Sequence, residues 1–286
     1  MSTSPTPTRL SFATADGLSL VADAWGDPHH RAVLLMHGGG QTRHAWGGTA
    51  RALAAQGWYA VACDLRGHGD SDWSSDADYA IEAFARDLVG VARTFAAAPV
   101  LVGASLSGLA GLLAQGEAEA TLFAALVLVD VTPRLDPDGA RHIVDFMSAR
   151  MEEGFASLEE AADTIAAYVP HRTRPKDLSG LAKNLRQHPD GRYRWHWDPR
   201  FVSGKRPPST LDNADRLFAC ARALRIPTLL VRGRMSELVT PEAAREFLTM
   251  VPHAQFADVS GAGHMVAGDR NDVFTAAVAG FLQRAL

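Results

Sequence analysis

The stretch Val102-Gly103-Ala104-Ser105-Leu106-Ser107-Gly108 restricts what this chain can fold into more than any other. An apolar run over 98–102 drives into a small residue, a serine, more small residues and then an apolar, helix-like segment. A serine on a sharp strand-to-helix turn is pushed outward, and the residues two before and two after it must be small for the backbone to turn. Gly103 and Ser107 hold those places around Ser105. A helix beginning at Leu106 aims its free N–H groups at any oxyanion forming on Ser105. Ser107 is not read as the nucleophile, because Leu109 would then occupy a position that must be small.

The rest of the chain supplies a frame for such a turn. Residues 9–24 alternate in two segments around Ala15-Asp16-Gly17, the pattern of a β-hairpin. Continuous apolar runs follow at 32–36, 58–63, 98–102, 124–130, 227–231 and 254–259. Ala-rich helical segments at 45–56, 80–97, 106–116, 241–250 and 271–285 separate most of them. Apolar strands alternating with helices predict an α/β fold: a mostly parallel central sheet with helices on both faces, the hairpin antiparallel at its edge. From Pro133 to about Asp212 the rhythm stops and Arg, His, Pro and Trp accumulate. We read amphipathic helices at 138–152 and 157–168, Pro-rich loops at 170–175 and 204–210, and no core-type strand. Residues 1–132 and 213–286 are thus expected to form the core, and 133–212 a helical cap over the carboxyl ends of the strands, where α/β sheets bind ligands.

Charge and cysteine usage narrow the function classes. With 28 Lys and Arg against 32 Asp and Glu, the net charge of −4 makes no basic field, so neither nucleic acid nor an anionic membrane is an expected partner. Cys63 and Cys220 sit in apolar surroundings and read as small buried hydrophobes in a reducing compartment. The Ser/Thr/Pro-rich stretch 1–8 has neither a charged start nor an apolar core. It reads as a disordered lead-in rather than a signal peptide or a membrane span, and the expected location is cytoplasmic. A small-molecule substrate, no cofactor, and a monomer or homodimer complete this reading.

Acyl chemistry on a serine needs a base, an acid to orient the base, and oxyanion donors. Of eleven histidines, only His264 follows an apolar strand in a glycine-rich turn late in the chain, Ser260-Gly261-Ala262-Gly263-His264. His253 precedes its strand, His29 and His30 lie in a solvated turn, and His142, His171, His188 and His196 belong to the insertion. Two acids compete for the orienting role. Glu237 follows the strand 227–231 in a turn before Pro241, and Asp130 ends the strand 124–130. Glu237 is preferred on triad order along the chain, with Asp130 as the alternative; Asp258, inside its strand, is weaker. Met36-His37-Gly38-Gly39-Gly40 lets backbone approach a substrate oxygen closely, with the N–H of Gly39 pairing that of Leu106. No Lys-Ser/Thr follows these glycines and the G-x-G-x-x-G spacing is absent, so the turn is neither a phosphate loop nor a dinucleotide fingerprint. No His/Cys/Asp cluster has the spacing of metal ligands, and no metal is expected.

Together these motifs resemble the α/β-hydrolase fold superfamily, in its cap-bearing branch of cofactor-free serine hydrolases. The resemblance runs from about residue 9 to 286. It rests on His37-Gly38-Gly39-Gly40, Asp64-Leu65-Arg66-Gly67-His68-Gly69-Asp70-Ser71, the elbow Gly103–Gly108, and Gly261-Ala262-Gly263-His264. It implies Ser105 as nucleophile, His264 as base, an oxyanion hole of Gly39 and Leu106, and Arg66 and His68 as supports of the core. Glu237 falls where many members carry the acid and Asp130 where a minority do. The chain departs from the pattern in Ser107, where Gly is usual, and in Glu237, where Asp is commoner. A serine nucleophile sets the chain apart from the Asp-dependent dehalogenases and epoxide hydrolases of this fold.

The expected reaction is hydrolysis of a carboxylic ester, lactones and thioesters included, through an acyl-enzyme on Ser105. The alternatives are C–C bond hydrolysis, perhydrolase or haloperoxidase-like chemistry with the same triad, and a non-catalytic ligand receptor. Gly38, Gly40, Trp195, Trp197 and Phe146 are the candidate substrate contacts, though the tryptophans serve equally well to pin the insertion to the core.

Overall fold

The computed structural model describes residues 6–170, 174–208, 213–269 and 271–286. Thr8 already opens the first strand, so the expected lead-in shrinks, and its first five residues lie outside the described ones. His171 and parts of both Pro-rich loops (171–173 and 209–210) lie outside them as well.

The chain opens with a hairpin of β1 (Thr8–Ala13) and β2 (Ser19–Trp25), which pair antiparallel from Thr8↔Ala24 to Ala13↔Ser19. Gly17 supplies the positive φ of +86° that the turn needs, and Thr14 Oγ1 accepts from Leu18 N at 2.9 Å. The parallel strands β3 (Ala32–Met36), β4 (Tyr59–Cys63), β5 (Val100–Ala104), β6 (Ala125–Val129), β9 (Thr228–Gly233) and β10 (Gln255–Val259) complete an eight-stranded sheet in the order β1-β2-β4-β3-β5-β6-β9-β10. Strand β2 meets β4 antiparallel.

Continuous apolar strands are explained by burial on both faces. Along β3, Val33 and Leu35 join one core while Leu34 and Met36 join the other. Helices α1 (Gly47–Ala54) and α11 (Asn271–Ala285) cover the first face, with Leu53, Phe274 and Phe281 fully buried. Helices α2 (Ile81–Ala92), α3 (Leu106–Gly116), α8 (Ala214–Ala223) and α9 (Pro241–Met250) cover the second, burying Phe84, Leu112, Leu217 and Phe247. Cys63 and Cys220 are both free and buried. Among the described residues no helix is long and apolar enough to cross a membrane.

Strand β3 leads to β4 on one side of the sheet, whereas β5 leads on to β6 on the other. The crevice beyond the carboxyl ends of β3 and β5 is therefore the switch point of the fold, where open α/β sheets place ligands. The glycine turn 38–40 and Ser105 both emerge there.

Between β6 and α8 runs the insertion: α4 (Pro137–Ser148), α5 (Leu158–Tyr168), α6 (Ser179–Ala182), β7 (Leu185–Gln187), β8 (Tyr193–Trp195) and α7 (Arg200–Ser203). Asp136 and Ser157 cap α4 and α5 with their side chains. The β7–β8 hairpin, closed by Leu185↔Trp195, has no counterpart in the sequence reading, since two three-residue strands of charged and aromatic residues carry no usable period. Met147, Phe155, Trp195, Trp197 and Phe201 bury themselves in the same core as α2 and α3. Polar ties add to that packing: Asp198 N donates to Gly67 O at 2.9 Å and the Tyr79 hydroxyl to Asp198 Oδ2 at 2.6 Å.

Candidate active site

Ser105 sits between β5 and α3 with φ +49° and ψ −116°, a conformation costly for any residue with a Cβ. Packing enforces it. A Cβ on Gly103 would lie 2.8 Å from the Gly108 Cα, and one on Gly108 2.8 Å from the Gly103 oxygen, so strand and helix approach as only glycine allows. The Ser105 amide donates to Val129 O at 3.0 Å. Ser107 departs from glycine without presenting its hydroxyl to the site: the buried Oγ is within donating distance of Met36 O, at 2.8 Å, and of Ala104 O.

The glycine turn closes over the serine, and a Cβ on Gly38 would come 3.2 Å from that of Ser105. Neighbouring side chains occupy the amides either side of Gly39: Gly38 N donates to Gln41 Oε1 at 3.2 Å and Gly40 N to His68 Nε2 at 3.0 Å. His68 can accept there because its Nδ1–H donates to Arg66 O at 2.9 Å. His37 uses the same tautomer, with Nδ1–H on Gly38 O at 2.7 Å and Nε2 accepting Leu65 N at 3.0 Å. Burial drives both pKa values down, to about 4 for His37 and about 3 for His68, so these rings are neutral props of the turn. Arg66 is buried between Asp87, 2.6 Å from its Nε, and Asp16, in keeping with its expected supporting place.

Asp130 follows β6 with a left-handed φ of +50° that turns its side chain across the sheet edge. Its carboxylate is fully buried and takes three donors: Gly233 N at 3.0 Å, Ser236 Oγ at 2.5 Å and His264 Nδ1 at 2.7 Å. An ionised carboxylate only accepts, so the proton of this neutral imidazole lies on Nδ1 and Nε2 keeps a lone pair. His264 is 23% exposed.

Glu237 does not take that place. Its carboxylate is 63% exposed and accepts from His142 of α4, whose Nδ1 lies 2.8 Å away on the solvent side. The preference for Glu237 over Asp130 is therefore corrected. The turn 234–238 points its one inward polar group, the Ser236 hydroxyl, at Asp130, and carries Glu237 outward. Chain order could not separate the two; the sharper signal was an aspartate directly after a fully apolar strand, a residue type that tolerates positive φ.

The insertion lies over the turn. A Cβ on Gly40 would meet Met147 Cε at 3.0 Å and Trp197 Cζ3 at 3.4 Å, and one on Gly39 would meet Phe201 Cζ at 3.1 Å. Trp195 and Trp197 stack at 4.8 Å with planes 10° apart, and Phe146 stacks on Tyr168 at 3.9 Å. Met147 and Phe201 both reach the turn, and of the two Phe201, on the four-residue α7, is the one the sequence reading did not single out.

Three comparisons bear on this arrangement. Residues 33–277 match the family described as the alpha/beta hydrolase family. The chain is 32% identical over 266 residues to esterase Rv0045c of Mycobacterium tuberculosis, covering 90% of this chain and 84% of that protein. It is 30% identical over 282 residues to the 3-hydroxybutyrate-oligomer hydrolase of Cupriavidus necator, covering 92% and 93%. Among solved structures, an alpha/beta hydrolase from Novosphingobium aromaticivorans superposes with a TM-score of 0.82 at 25% identity over 98% of this chain and 99% of that one. Rv0045c itself superposes with a TM-score of 0.76 at 28% identity over 98% and 93%. With a strained serine at the switch point, a carboxylate-bound histidine at the same sheet edge and this family match over most of its length, the chain belongs to the alpha/beta hydrolase family.

Proposed function

We propose that this enzyme hydrolyses a carboxylic ester through an acyl-enzyme on Ser105, with His264 as general base, Asp130 as the acid that orients it, and the insertion 133–212 as a cap. The buried Asp130–His264 pair carries the reading. It fixes the imidazole tautomer, so that Nε2 is the atom free to take a proton. Ser105 Oγ attacks the ester carbonyl as its proton passes to Nε2, and Asp130 stabilises the imidazolium. The negative oxygen of the tetrahedral intermediate is received by the amides of Gly39 and Leu106, with Leu106 at the first turn of α3 adding the helix dipole. Collapse returns the proton to the leaving alcohol. Water, deprotonated by the same nitrogen, then attacks the acyl-enzyme and releases the acid. The ester class is supported by the relatives named as an esterase and a 3-hydroxybutyrate-oligomer hydrolase.

A panel of p-nitrophenyl esters assayed with Ser105→Ala tests the reading. Turnover is expected to fall by at least about 10³-fold, with circular dichroism and urea midpoint unchanged. Turnover that survives the substitution would sink the proposal.

A further inference from the structure

Ser236 lies in the turn that leaves β9, and every hydrogen-bonding position of its hydroxyl is taken. The Oγ accepts from Leu238 N and Val239 N, each at 3.1 Å, and stands 2.5 Å from Asp130 Oδ2. A hydroxyl has two lone pairs and one proton. With both lone pairs on backbone amides, the proton goes to the carboxylate, which as an ion only accepts.

The oxygen that receives it is the one that faces the base. Oδ2 also takes the Nδ1–H of His264 at 2.7 Å, while Oδ1 takes Gly233 N at 3.0 Å. Rotation of the carboxyl group about its Cβ–Cγ bond would carry Oδ2 away from the imidazole. Ser236 and Gly233 hold one oxygen each against that rotation, so each oxygen has an anchor other than the histidine.

The turn does not depend on the donated proton for its own shape. Its backbone is tied by Arg234 N to Val259 O, Met235 N to Ala262 O and Ser236 N to Gly233 O, all at 2.9 Å. Helix α4 braces it from the insertion: Asp136 N donates to Leu238 O at 2.9 Å, and a Cβ on Gly139 would run into Glu237 O. Ala262 belongs to the glycine-rich loop that ends at His264. One turn is thus tied to the loop of the base and reaches the acid with its hydroxyl, and a group whose own place is fixed in this way can fix its neighbour.

We propose that Ser236 is a positioning residue for the hydrolysis, its hydroxyl locking Asp130 in the rotation that presents Oδ2 to His264. This rests on the reading of Asp130 as the orienting acid and adds a fourth side chain to Ser105, His264 and Asp130. Ser236 acts only through Asp130, so its loss slows the chemical step and leaves substrate binding as it was.

The test is kcat and KM for a p-nitrophenyl ester in the parent, Ser236→Ala, Asp130→Asn and the double variant, with urea midpoints alongside. Ser236→Ala is expected to lower kcat by about 10–100-fold, the worth of one hydrogen bond to a charged group, with KM within about twofold. In the Asp130→Asn background the same substitution is expected to change kcat by less than about threefold, because members of one network do not add. Ser236→Cys fills the same space with a weak donor, is expected to be slow as well, and carries the test should Ser236→Ala fail to fold. An equal loss of kcat in both backgrounds would show that Ser236 acts independently of Asp130 and overturn the proposal. So would a kcat within about twofold of the parent in the folded Ser236 variants beside a slow Asp130→Asn, which would leave the acid assignment standing. Asp130→Asn as fast as the parent would overturn that assignment and this proposal with it.

Discussion

Asp130 and Glu237 each follow a parallel strand, β6 and β9, at the same edge of the sheet, yet only Asp130 has lost its water. Asp130 is wholly buried with three donors around it, whereas Glu237 shares an exposed pair with His142 of the kind worth about 0–1 kcal/mol. Ser107 shows the same dependence on surroundings. Its hydroxyl stands one residue from the helix start that faces the site, but it is spent on the β3 backbone. Ser107→Ala is therefore expected to cost about 1 kcal/mol in urea unfolding and to leave ester turnover within about twofold of the parent. A collapse of turnover with unchanged stability would show that the hydroxyl serves the reaction.

At the scale of elements, the elbow is a contact between strand and helix with no room for a methyl group. Gly108→Ala would put a Cβ 2.6 Å from Val131 Cγ1 and 2.8 Å from the Gly103 oxygen, and is expected to destabilise by about 1–3 kcal/mol. Gly90→Ala in α2 meets nothing within 4 Å and is expected to stabilise by about 0.5–1 kcal/mol, as a helix interior does when it loses a glycine. The opposite signs are read from urea midpoints, and equal shifts for the two would contradict the close approach. The sheet and its helices were legible because strands buried on both faces leave unbroken apolar runs: 32–36 and 106–116 were read at their observed bounds. The insertion was legible only in outline. Its helices α4 and α5 carry a period, but the β7–β8 hairpin is held by Phe155 and Trp195 packing, which no local pattern records. The site shows the same division. Ser105 and His264 stand beside glycines that mark their turns, whereas the choice of acid depends on which side of one turn faces the core.

For the whole molecule, the buried histidines make stability depend on acid. In the folded protein His37 titrates at about 4 and His68 at about 3, and His196 is lowered too, against 6.5 for an exposed ring. Below about pH 6.5 the unfolded chain takes up protons that the folded one refuses, so stability falls as pH falls towards about 4. Each withheld proton is worth about 1.4 kcal/mol per pH unit at most. Urea midpoints are expected to be level from pH 7 to 8 and to drop steadily from pH 6.5 to 4.5. A midpoint unchanged over that range would mean that these rings are charged in the fold, and the neutral props assigned to the glycine turn would be wrong.

The central claim is that Asp130, through His264, activates Ser105. The rate at which a small fluorophosphonate labels the protein tests it most directly, followed by intact mass and located by peptide mapping. One adduct on Ser105 is expected, with Glu237→Gln labelled at the parent's rate and Asp130→Asn slowed by about 10³–10⁴-fold while remaining folded. Rapid labelling of Asp130→Asn beside slow labelling of Glu237→Gln would contradict the account and return the acid to the exposed turn.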